Sequence, residues 1–72
     1  MADLTPAQYD ALEGAITARR RIAVFRRGTE YVVVPDRIRL AGGREALDTV
    51  HPTTGERLTI FVDEMDTFEV VG

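Results

Sequence analysis

Residues 19–40, RRRIAVFRRGTEYVVVPDRIRL, limit what this chain can become more than any other stretch does. Ile22 and Val24 alternate with Ala23 and Phe25, the two-residue period of a strand. Val32-Val33-Val34 is the longest β-branched run, and β-branched side chains favour extended backbone. Between the runs, Arg27-Gly28-Thr29 reads as a tight reversal, because Gly supplies the positive φ such turns need. Pro35 has no N–H to give to a ladder, so the second run must bulge or bend there. Arg37-Ile38-Arg39-Leu40 then resumes the alternation, with Arg on one face and Ile and Leu on the other. The stretch predicts a strand over 21–27 and one long, bent strand over 30–40. The apolar run before Pro35 predicts burial on both faces of the second strand.

The flanks extend this pattern. Thr5 suits a helix N-cap, Pro6 suits the first helical position, and Gln8 completes a capping box. Leu4 and Tyr9 are spaced as a hydrophobic staple. Tyr9, Leu12 and Ile16, widened by Ala15, line one face of a helix predicted over 6–20. Arg19 and Arg20 fall in its last turn, where cations favour the helix dipole. Beyond the bent strand, Ala41-Gly42-Gly43 and Pro52-Thr53-Thr54-Gly55 read as turns. They bound a third strand over 44–51 and a fourth over 56–62, with Leu58, Ile60 and Val62 inward. Asp63 to Asp66 has room for one 3₁₀ turn, and 67–71 is a fifth strand with Phe68 and Val70 on its buried face.

Seventy-two residues make one domain, 1–72, that buries only roughly 60% of its unfolded surface. The expected fold is α+β: an N-terminal helix on five antiparallel strands closed into a small barrel. Closure removes the free edges that an open sheet exposes. No apolar run approaches the ~20 residues of a membrane-spanning helix, so no membrane partner is expected. Residues 1–18 carry three acids and no base, unlike a signal peptide. The absence of Cys excludes a disulfide framework and a thiolate metal site, and a cytoplasmic location is expected.

The order of elements resembles the Sm-like small β-barrel and, within it, the WYL domain of bacterial regulators. The pieces that carry the resemblance are Ile22-Ala23-Val24-Phe25-Arg26, Tyr31-Val32-Val33-Val34-Pro35-Asp36-Arg37-Ile38, and Gly55-Glu56-Arg57 leading to Phe61-Val62-Asp63-Glu64-Met65. It implies a regulatory ligand-sensing role, often toward nucleic-acid-like ligands, beside a helix-turn-helix. Three departures limit it, the first being that no helix-turn-helix is expected from these residues. Glu45-Ala46-Leu47 stands near the place of the aromatic-Tyr-Leu signature, and Glu64 stands where that family's acidic turn has an arginine. No binding residue is carried over from it.

Charge is the other functional signal. All nine cationic side chains are Arg, which fits coding bias or selection for Arg's planar fork. Residues 19–44 hold eight of them against Glu30 and Asp36, while 45–72 hold Arg57 against seven acids. The net charge of −3 therefore hides a bipolar molecule. Arg26, Arg27, Arg37, Arg39 and Arg44 are the candidate ligand- or partner-binding residues, with Phe25 and Tyr31 interleaved as stacking platforms would be. The alternative is a face that pairs with the chain's own acids, Arg37 or Arg39 facing Glu56, Glu69 or Asp48, with Phe25 and Tyr31 in the core. A single His51, no Cys and no Ser leave no nucleophile–base pair, so no catalytic residue, cofactor or metal is expected. Asp63, Glu64 and Asp66 lack the spacing of a calcium loop. The chain reads as a non-catalytic module for a protein partner or self-association, with nucleic acid or a phosphorylated ligand as the alternative.

Overall fold

The computed structural model describes residues 4–72; Met1, Ala2 and Asp3 lie outside the described residues. Helix α1 (Pro6–Ala18) starts where its chemistry dictates. Thr5 Oγ1 accepts from the Gln8 N–H at 3.2 Å, and Gln8 Oε1 accepts from the Thr5 N–H at 2.9 Å. Leu4 is buried and Tyr9 packs on the core, as a staple requires. The other end is a correction. The helix stops at Ala18, and Arg19 takes the left-handed conformation at φ 54°, ψ 46°. Arg20 N–H then donates to Ala15 O at 2.8 Å and Arg19 N–H to Ile16 O at 3.3 Å. This is the Schellman closure, usually given to Gly. Arg19 and Arg20 therefore leave the helix instead of ending it.

Five strands follow: β1 (Ile22–Arg26), β2 (Thr29–Ala41), β3 (Arg44–Val50), β4 (Arg57–Phe61) and β5 (Thr67–Val70). A 3₁₀ turn, Val62–Glu64, falls before β5. Each strand boundary lies within a residue of its expected place, while the 3₁₀ turn begins at Val62, the expected end of the fourth strand, and stops at Glu64, short of Asp66. Arg27 and Gly28 close the β1–β2 hairpin at φ 51° and 76°, the two positive values of a type I′ turn. The β2–β3 register shifts between Pro35 and Arg37, so the bend falls where the missing proline N–H put it. The bend divides β2 between two partners. Its first half pairs with β1, its second with β3.

The sheet runs β4-β3-β2-β1-β5, antiparallel throughout. The expected closure into a barrel is absent: β4 and β5 form opposite edges. Closure needs strands long enough to tilt and stagger past one another. Here β4 has five residues and β5 four. β5 instead docks on β1, where Phe25 O accepts from the Asp66 N–H at 2.7 Å.

The helix lies against β2 and β5 and covers one side of the sheet. Leu12, Ile22, Val24, Leu47, Ile60 and Met65 form the centre of the core there. Leu58, Ile60 and Val62 face it as expected. Two expectations of burial fail. Val32 is 40% exposed because the β1–β2–β5 half has no second layer outside it. Val70 is 39% exposed because it lies on an edge strand near the end of the chain.

Candidate functional site

The register of β2, β3 and β4 builds the first charge cluster. Asp48 on β3 is opposite Arg37 on β2 and opposite Thr59 on β4. Arg39, two residues beyond Arg37, shares its face and reaches the same carboxylate. Asp48 Oδ2 accepts from Arg37 Nε at 2.9 Å and from Arg39 Nε at 2.8 Å. Its Oδ1 accepts from Thr59 Oγ1 at 3.0 Å. The side chain of Asp48 is only 12% exposed, yet both of its carboxylate oxygens are hydrogen-bonded. The Arg39 and Arg37 hydrogen bonds, helped by Thr59, hold its carboxyl far below the ordinary carboxylate range. Asp48 in turn raises Arg39.

The second cluster joins the start of β3 to the 3₁₀ turn. Arg44 Nε and Nη2 donate to Asp63 at 2.9 and 2.7 Å, a two-point fork, and Nη2 also donates to Glu64 at 3.1 Å. The guanidinium lies 3.9 Å from the centre of the Phe61 ring. The hydrogen bonds that Arg44 donates to Asp63 and Glu64 raise Arg44, and the same bonds to Asp63 lower that carboxyl. Glu64 extends the cluster to Arg26, whose Nη1 is 3.6 Å away. Arg26 lies over the Tyr31 ring at 5.0 Å and donates to the Tyr31 hydroxyl at 3.3 Å.

The five sequence candidates therefore separate. Arg37 and Arg39 share Asp48, and Arg26 and Arg44 meet at Glu64. Arg27 sits at the hairpin tip, where its backbone N–H donates to Asp66 at 3.1 Å. Its side chain has no ion-pair partner among the described residues, and neither have those of Arg19, Arg20 and Arg21. Arg57 stands 3.7 Å from Asp36. Tyr31 is a half-buried rest for Arg26 and packs on the core. Sequence reasoning missed Phe61 as the rest for Arg44. Its signal was its place immediately before Val62 and Asp63, which carries the ring to the same turn as the acids.

His51 organises a loop. Its Nδ1 accepts from the N–H groups of Thr53 and Thr54 at 3.1 and 3.2 Å, which leaves the ring proton on Nε2. Among the described residues no group of three or more His, Asp or Glu is placed to hold a metal ion. Among the described residues no helix is long and apolar enough to cross a membrane. A scan against protein-family models, a search of curated proteins and a search of solved structures each returned no match.

Proposed function

We propose that this chain is a non-catalytic binding module for protein surfaces, a partner's or its own, and that its bent sheet is an opened form of the Sm-like barrel. The observation that carries the reading is the internal neutralisation of Arg26, Arg37, Arg39 and Arg44 by Asp48, Asp63 and Glu64. A guanidinium held by a carboxylate and laid on a ring is a fixed, half-neutral donor. A polyanion would have to strip those carboxylates away before it gained anything. A protein surface with its own pattern of charge can match such a fixed array in place. The net charge of −3 adds long-range repulsion toward polyanions. The open edges of β4 and β5 add ladder groups that another strand can meet.

The unpaired run Arg19-Arg20-Arg21 favours the second reading, a phosphorylated ligand or nucleic acid held at the junction of α1 and β1. Sedimentation velocity from micromolar to millimolar concentration, with and without an oligonucleotide, separates the two. The first reading predicts salt-sensitive association of the chain and no co-sedimenting oligonucleotide. A monomer that carries the oligonucleotide at physiological salt, and loses it in Arg19→Glu/Arg20→Glu/Arg21→Glu, overturns it.

A further inference from the structure

We propose that the free edge of β2 at Glu30 and Val32 receives an extended, basic segment of a partner protein as an added strand. This rests on the protein-recognition reading above and gives that partner's chemistry. The phase of the hydrogen-bond ladder creates the edge. The two-residue turn at Arg27 and Gly28 makes Arg26 and Thr29 a hydrogen-bonded pair. Bonded and non-bonded pairs alternate from there, so Val24–Tyr31 and Ile22–Val33 are bonded while Phe25–Glu30 and Ala23–Val32 are not. The far side of β1 shows the same phase. Phe25 O accepts from the Asp66 N–H at 2.7 Å and Arg21 O from the Val71 N–H at 2.9 Å, so these residues turn their backbone toward β5. The backbone groups of Glu30 and Val32 accordingly point away from β1.

On that side β3 would meet them, but its ladder with β2 stops at Val34–Val50. The chain then turns off at His51, whose N–H donates to Glu56 O at 2.8 Å. The N–H and C=O groups of Glu30 and Val32 are left facing a groove of about 300 Å³. Tyr31, Val33 and Leu58 supply its apolar lining, and the exposed Glu30 and Glu56 its charge. Neither carboxylate has an ion-pair partner among the described residues.

These features select one kind of occupant. Donors and acceptors repeated two residues apart are met by extended backbone, with alternate side chains turned into the groove. The apolar lining takes one set of those side chains. The two unpaired glutamates take Lys or Arg from the other, and the net negative charge of the chain favours the approach of a basic segment.

Random dodecapeptides displayed on phage, selected against the immobilised full chain, give the probe. Proton–nitrogen spectra of the chain with the selected peptide then locate it. The proposal predicts peptides in which Lys or Arg alternates with apolar residues, and amide shifts centred on Glu30, Val32 and Leu58. It predicts a loss of about tenfold or more in affinity for Glu30→Lys/Glu56→Lys, since charge-assisted contacts are lost. It predicts a comparable loss when the peptide is N-methylated at alternate residues, which removes ladder donors and leaves the protein unchanged. No enriched peptide, acidic peptides, or equal binding by the double variant would each overturn it. Selected peptides that shift only β4 or β5 overturn this placement and leave the protein-recognition reading standing. Micromolar oligonucleotide binding at physiological salt, lost in the Arg19–Arg21 triple variant, overturns that broader reading whatever the peptides do.

Discussion

Asp48 shows how one residue converts a basic stretch into structure. Its carboxylate faces two guanidiniums and one hydroxyl on two neighbouring strands. Asp48→Asn removes the charge and one acceptor oxygen, and should cost about 1.5–3 kcal/mol in chemical denaturation. The pH dependence has a definite sign. The folded-state carboxyl titrates below its unfolded value, so its contribution is complete above the ordinary Asp range, near pH ~4, and is lost as pH falls below it. The Asn variant should show a shallower loss of stability below that range than the wild type. Parallel acid limbs would mean that Asp48 is not the group held low. The same geometry makes Arg37→Glu/Arg39→Glu a folding lesion, because it sets three carboxylates together. Arg19–Arg21 are the safer residues for removing positive charge. Arg19 itself is a strained residue at φ 54°. Arg19→Gly removes a left-handed penalty of about 1–2 kcal/mol but adds unfolded-state freedom, leaving a gain of about 0.5–1 kcal/mol. A lower melting temperature in this variant would show that the Arg19 side chain contributes more than its backbone costs.

At the scale of elements, legibility followed range. The start of α1 was legible because a capping box lies within four residues of sequence. Thr5→Ala should therefore cost about 1 kcal/mol, and in so small a domain lower the melting temperature by roughly 4–8 °C. The β2 bend was legible because it follows from the missing N–H of Pro35. The helix end was not, because the left-handed cap falls on Arg19 and not on a glycine. Closure was not legible either, since it depends on how far β4 and β5 reach around the sheet. The candidate site divided in the same way. That arginines cluster in residues 19–44 is written in the sequence. That Arg37 and Arg39 both reach Asp48 is a property of register, across a bulge that shifts the pairing. The alternation of Leu58, Ile60 and Val62 turns Ile60 inward in β4, and it is fully buried. Ile60→Ala should cost about 2–5 kcal/mol, enough to unfold much of a thin-margined population. Near-native stability by urea denaturation would contradict the packing described for β4.

At the scale of the molecule, charge separation along the chain becomes charge pairing in space. The acidic final third folds its Asp48 and its 3₁₀ turn onto the arginines of β1, β2 and β3. What stays unpaired among the described residues is a short basic run at 19–21, Arg27, and scattered acids that include Glu30 and Glu56. The central claim is that this internal pairing turns the arginine face away from polyanions and toward protein surfaces. The most direct test is a fluorescence anisotropy titration of a labelled single-stranded oligonucleotide across a range of salt concentrations. The account predicts no binding at physiological salt, and at low salt a weak response that disappears when Arg19, Arg20 and Arg21 are reversed. Micromolar affinity at physiological salt, falling with a log–log slope of about −0.7 for each phosphate contact over several contacts, would contradict it.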